Sequence, residues 1–202
     1  MSMVQGLRDP IPDTAVHLCV DMQRMFVEDT EWRTPWAARV LPVIERLCEA
    51  KPERNVFTRF IPAARPGEGR GTWRGYWEKW SSMTLDALGT ELVDLATPLQ
   101  RFVPPGRLID KHGYSPWFGT DLDPVLRRSG VDTLVVTGAE TDVCVLAAVL
   151  GAVDLGYRVV VVKDGLCSSS DASHDRLIAL YHERYGQQVE AAECAEVLDA
   201  WR

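Results

Sequence analysis

Apolar residues along this chain fall into two alternating rhythms. Short, nearly continuous apolar runs read as buried strands: "AVHLCV" (residues 15–20), "NVFTRF" (55–60), "RLIDK" (107–111), "TLVVTG" (133–138) and "RVVVVKDG" (158–165). The segments between them repeat at helical spacing. In "PWAARVLPVIERLCEA", Trp36, Val40, Val43, Ile44, Leu47 and Cys48 share one face, and Pro42 must lie early in that helix or kink it. "DLDPVLRRSG" has an acidic start and a closing Gly130. "DVCVLAAVLGAVDLG" predicts one helix ending at Gly156. "DASHDRLIALYHERYG" predicts another, capped by Ser170 or Asp171 and ended by Gly186. "QQVEAA" and "CAEVLDAW" close the chain as strand and helix, and "IPAARPGEGRGTWRG" reads as a loop.

Strand–helix alternation with uniformly apolar strands predicts an α/β fold, a parallel sheet covered by helices on both faces and joined by right-handed crossovers. No repeat, low-complexity tract or linker divides the chain, so residues 1–202 are expected to form one domain.

Composition narrows the function classes. A net charge of -7 argues against a nucleic-acid partner, whose domain is usually basic. No apolar run reaches the ~20 residues that span a bilayer, and "MSMVQGLRDPIPDT" lacks a signal-peptide pattern, so no membrane association and a cytoplasmic location are expected. Five scattered cysteines without a CxxC pair suit free thiols in a reducing compartment. The "GEGRG" run lacks the phosphate-loop pattern, and no dinucleotide fingerprint is present.

In an open α/β sheet, ligands bind beyond the carboxyl ends of the strands. Asp21 ends the first strand, Lys111 ends the third, and Cys144 follows the fourth after a short turn. Each has an ordinary alternative: a turn carboxylate, a solvated lysine, a packed thiol. Together, a carboxylate, an ammonium and a thiol suit nucleophilic catalysis. A helix start and Lys111 are expected to lower the Cys144 pKa. Asp21 can accept the thiol proton and pass it to a leaving amine. The "GAET" turn can aim the N–H groups of Glu140 and Cys144 at an oxyanion.

"VDMQRMF", "IDKHGYSPWFGTDL" and "VVTGAETDVCVLAAVLGAVDLGYRVVVVKD" resemble the isochorismatase-like cysteine hydrolases, which include nicotinamidases, N-carbamoylsarcosine amidase, ureidoacrylate amidohydrolases and biuret hydrolases. The likeness runs from about Val16 to about Glu190. The resemblance implies a catalytic triad of Asp21, Lys111 and Cys144 and a cis peptide at Ala139–Glu140. It also implies a Rossmann-like, three-layer α/β/α fold with strand order 3-2-1-4-5-6, and a homodimer or homotetramer. Isochorismate-cleaving members lack the cysteine that is present here, so the resemblance points to hydrolysis of a C–N bond in a small amide or ureido substrate. Nicotinamidases carry histidine ligands after the second strand. The matching "FTRFIPAARPGEGRGTW" has no histidine, so no metal and no cofactor are expected. The alternatives are an ester or cyclic-amide hydrolase on the same scaffold, or a non-catalytic binding protein that keeps the fold.

Four residues are candidates for contact with substrate. Phe26 and Trp117 lie close in sequence to Asp21 and Lys111. Trp77 belongs to "TWRGYWEKWSSM", where Trp73, Tyr76, Trp77 and Trp80 share one helical face. That face is either an aromatic wall over the pocket or a packing surface against the sheet or a neighbouring subunit. Arg59 could clamp a substrate carboxylate with paired hydrogen bonds, or it could be an ordinary surface charge.

Overall fold

In the computed structural model, which describes residues 6–202, six parallel strands form one sheet. They are β1 (Val16–Val20), β2 (Asn55–Phe60), β3 (Arg107–Lys111), β4 (Thr133–Ala139), β5 (Arg158–Cys167) and β6 (Val189–Ala192). Their spatial order is β3-β2-β1-β4-β5-β6, so the direction of winding reverses between β1 and β4. The expected α/β architecture and strand order are both found.

Side-chain alternation along each strand divides the core between the two faces. Val16, Leu18 and Val20 of β1 pack with Leu134 and Val136 of β4 against three helices: α3 (Leu122–Arg128), α4 (Leu146–Asp154) and α5 (Asp171–Arg184). The opposite face is covered by α1 (Ala37–Ala50) and by α6 (Cys194–Ala200). A further helix, α2 (Thr72–Lys79), lies in the segment after β2 and carries Trp77 into a separate aromatic cluster with Phe26, Phe60 and Met83. Because both faces are covered, β1 and β4 are buried along their whole length, which is why they read as unbroken apolar runs.

Local departures from the sequence expectation have identifiable causes. Pro42 lies inside α1, not at its start, because the helix begins only at Ala37. The "loop" after β2 turns helical at Thr72. The single helix expected from Asp142 is two pieces. Residues Thr141–Val145 form a wide turn closed by a bond from the Val145 N–H to the Glu140 carbonyl, five residues back, and α4 starts only after it.

Gly138 shows how closely β1 and β4 approach at their carboxyl ends. Its φ is +120°, and a Cβ there would sit 2.0 Å from the Val20 carbonyl oxygen. Only glycine satisfies both conditions. A buried polar network further back links β2, β1 and β4. His17 Nδ1 is 2.8 Å from Asn55 Oδ1, and Nε2 is 2.7 Å from Thr137 Oγ1.

Candidate active site

The winding reversal brings the ends of β1, β3 and β4 to one rim. Asp21 directly follows β1 with φ +49°, a left-handed conformation that is uncommon outside glycine and tends to occur where function constrains the backbone. Thr58 on β2 holds it in place: the Thr58 hydroxyl donates to Asp21 Oδ1 at 2.5 Å and accepts from the Asp21 N–H at 3.1 Å. Lys111 is the last residue of β3 and is buried. Its Nζ donates to the Gly113 carbonyl at 3.0 Å and to Cys144 Sγ at 3.4 Å, and it ion-pairs with Asp21 Oδ2 at 2.7 Å. Lys111 faces only one of the two lone pairs of this buried oxygen, so the other is free to accept a proton.

Cys144 sits in the wide turn after β4. The peptide between Ala139 and Glu140 is cis. The N–H groups of Val143 and Val145 both donate to the Glu140 carbonyl, and the Cys144 N–H lies between them in the chain. The turn is anchored through Thr141, whose hydroxyl donates to the Cys167 carbonyl at 3.1 Å and meets His174 Nδ1 at 2.8 Å. With the hydroxyl proton used on the carbonyl, the ring donates from Nδ1. The Glu140 carboxylate accepts from the Ser169 N–H at 2.8 Å.

Electrostatics reverse one expectation. Burial pushes the Cys144 thiol well above the ordinary cysteine value, and the Asp21 charge adds to that shift, while Lys111 pulls the other way. An acidified thiol at a helix start is therefore not what the fold builds. Cys144 itself is buried within a half-buried turn and does not stand at an exposed helix N-terminus. Burial also presses on Lys111, but the Asp21 carboxylate and the Cys144 sulfur outweigh it, and the ammonium ends above the usual lysine value. The geometry thus sets the Cys144 sulfur beside an Asp21–Lys111 ion pair.

A pocket of ≈ 240 Å³ opens over Cys144. Phe26 lines it, and so do Trp32, Phe60, Tyr76, Trp80 and Tyr114. Trp32 is the centre of this group, with ring centroids about 6 Å from those of Phe26, Phe60, Tyr76 and Trp80.

Three of the four substrate-contact candidates lie outside the lining of this pocket. Trp77 is buried behind the wall, stacked on Phe60 at 5.9 Å, while Tyr76 and Trp80 of the same helical segment reach the pocket. Trp117 points away from it. Its Nε1 donates to the Ala148 carbonyl at 2.8 Å, its ring stacks on Tyr157, and Gly151 leaves the space it fills. Arg59 is held by Asp94 at 2.5 Å and Asp110 at 2.8 Å, in a groove separate from the pocket. Two carboxylates already occupy its guanidinium, so it does not clamp a third in the pocket.

Sequence reasoning missed Trp32, Phe60 and Tyr114. Phe60 ends β2, and the strand-end rule that found Lys111 would have found it. Tyr114 lies three residues beyond Lys111. Trp32 sits in an aperiodic stretch with no local signal. Among the described residues, no three His, Cys, Asp or Glu side chains converge as a metal-holding group, and no helix is long and apolar enough to cross a membrane.

Comparison with known proteins gives concordant results. Residues 15–193 match the isochorismatase domain family. YwoC of Bacillus subtilis, an uncharacterized isochorismatase family protein, is 33% identical over 88 residues, covering 44% of this chain and 47% of that protein. Maleamate amidohydrolase of Pseudomonas putida is 29% identical over 91 residues, covering 45% of this chain and 43% of that protein. This chain thus spans about half the length of these relatives. The crystal structure of a cysteine hydrolase from Pseudomonas syringae pv. phaseolicola superposes with a TM-score of 0.84 at 24% identity, over 99% of this chain and 98% of that one.

Proposed function

Because the chain belongs to the isochorismatase family, we propose that it is a cysteine-dependent hydrolase of a C–N bond in a small amide or ureido substrate. The observation that carries this reading is the position of Lys111 Nζ, 2.7 Å from Asp21 Oδ2 and 3.4 Å from Cys144 Sγ on the floor of the pocket. The partial similarity to maleamate amidohydrolase favours a C–N bond over other hydrolysable bonds.

The proposed sequence begins with a neutral thiol. Cys144 gives its proton to the unused lone pair on Asp21 Oδ2 as the sulfur attacks the substrate carbonyl carbon. The carbonyl oxygen gains negative charge and rests on the N–H groups of Glu140 and Cys144. Collapse breaks the C–N bond. Asp21 returns its proton to the leaving nitrogen, so ammonia or an amine departs neutral and a thioester remains on Cys144. Water then loses a proton to Asp21 and attacks the thioester. The acid product leaves, and the sulfur takes the proton back from Asp21.

Lys111 stays protonated throughout. Its charge offsets Asp21 whenever that carboxylate is ionised; when Asp21 holds the proton, the negative charge lies on the substrate oxygen at the Glu140 and Cys144 N–H groups. Thr58 keeps Asp21 pointed at the sulfur.

The test is ammonia or amine release from a panel of primary amides, ureido acids and esters, run with the wild type, Cys144→Ala and Asp21→Asn. Release from an amide or ureide that both variants abolish supports the reading. Full activity in either variant, or turnover of esters alone, overturns it.

A further inference from the structure

Resting on the hydrolase reading above, we propose that the substrate's non-reacting end is an organic cation, an alkylated ammonium group, and that the aromatic pocket is its cage. The walls and the charges of the pocket both point this way. Six rings surround the space above Cys144. The ring faces carry negative potential, and an aromatic box is a general solution for binding a weakly hydrated ammonium. Two of these rings already hold an ammonium of the chain itself: Lys111 Nζ lies 5.2 Å from the Phe60 centroid, and Lys79 Nζ lies 4.9 Å from that of Trp80.

Among the described residues, the only charged side chains lining the pocket are Glu31 and Glu140. Neither is ion-paired among the described residues. Glu31 stands exposed at the mouth, and Glu140 accepts one bond from the Ser169 N–H. Among the described residues, no lysine, arginine or histidine lines the cavity. Lys111 beneath it is neutralised by Asp21 at 2.7 Å. A substrate carboxylate would meet two like charges, with Arg59 committed elsewhere. A neutral aryl tail would satisfy the rings but leave the acidic lining unused.

The test uses three primary butanamides whose far end carries trimethylammonium, tert-butyl or carboxylate. The first two match in shape and differ in charge. Binding is read by calorimetry on Cys144→Ala and by quenching of tryptophan fluorescence on the wild type, so that a poorly folded variant does not decide the result. The trimethylammonium compound is expected to bind about tenfold tighter than its tert-butyl analogue, with the carboxylate weakest. Glu31→Gln should cut the affinity for the cation by about threefold and leave the tert-butyl compound unchanged. Equal or tighter binding of the tert-butyl compound, tightest binding of the carboxylate, or no binding by any of the three overturns the proposal. Cation preference without ammonia release from any of the three counts against the hydrolase reading alone. Ammonia release without cation preference counts against the cation cage alone.

Discussion

Acid should weaken this fold through His17, and the size of the effect follows from its surroundings. The ring is fully buried between β2 and β4. Asn55 Nδ2 donates to the Cys48 and Lys51 carbonyls, so Asn55 Oδ1 is what faces the ring, and Nδ1 must be the donor. Nε2 then accepts from Thr137, and a second ring proton would force that hydroxyl to become the acceptor while placing an uncompensated charge in the core. Burial lowers the pKa of His17 from 6.5 to about 4, with the Asn55 bond opposing only part of that shift. In the unfolded chain the ring protonates below about 6.5. Between these values the unfolded state binds a proton that the folded state refuses, so stability present above pH 6.5 is lost as the pH falls. One pKa unit corresponds to about 1.4 kcal/mol, so the loss approaches about 3 kcal/mol by pH 4. Urea unfolding at half-unit steps from pH 7.5 to pH 4, on the wild type and on His17→Asn, measures it. His174 is also depressed, by burial, and subtracting the variant's profile removes its contribution. The wild type should lose about 3 kcal/mol more than His17→Asn across the window. Parallel profiles would show that His17 is not a buried neutral ring and would refute the reasoning.

Other perturbations separate scaffold from chemistry. Thr58→Val removes the hydroxyl that donates to Asp21 Oδ1 at 2.5 Å; kcat should fall about tenfold or more with little change in KM, read by steady-state kinetics. Lys111→Met leaves Asp21 buried without its counter-charge, and chemical denaturation should show a loss of about 3–5 kcal/mol with activity abolished. Gly151→Ala would place a methyl 2.2 Å from the Trp117 ring. Calorimetry should show about 1–3 kcal/mol of destabilisation, while KM stays unchanged because Trp117 does not line the pocket.

The legible parts of this molecule were those set by periodicity and by strand ends. The strand order follows the implied family topology, and β4 and β5 are plain in the sequence because burial on both faces demands the apolar runs at Leu134–Val136 and Val159–Val162. Asp21, Lys111 and Cys144 could be placed on one rim because parallel strands bring their carboxyl ends together wherever they lie in sequence. Failures came where side-chain direction mattered. Trp117 is near Lys111 in the chain and Trp77 shares an aromatic helical face, but one fills the notch at Gly151 and the other is buried behind Phe60. Arg59 precedes Phe60 on β2, so it points to the opposite face from the ring that lines the pocket. The raised thiol pKa was also hidden, because it depends on how deeply the turn is buried, and sequence spacing does not report depth.

The most direct measurement on the whole account is rapid-quench mass spectrometry of the wild type during turnover of an amide it hydrolyses. The predicted result is a transient mass gain equal to the acyl group, mapped to the peptide carrying Cys144, absent from the other four cysteines and from Asp21→Asn. Turnover with no covalent adduct, or an adduct on a different residue, contradicts it.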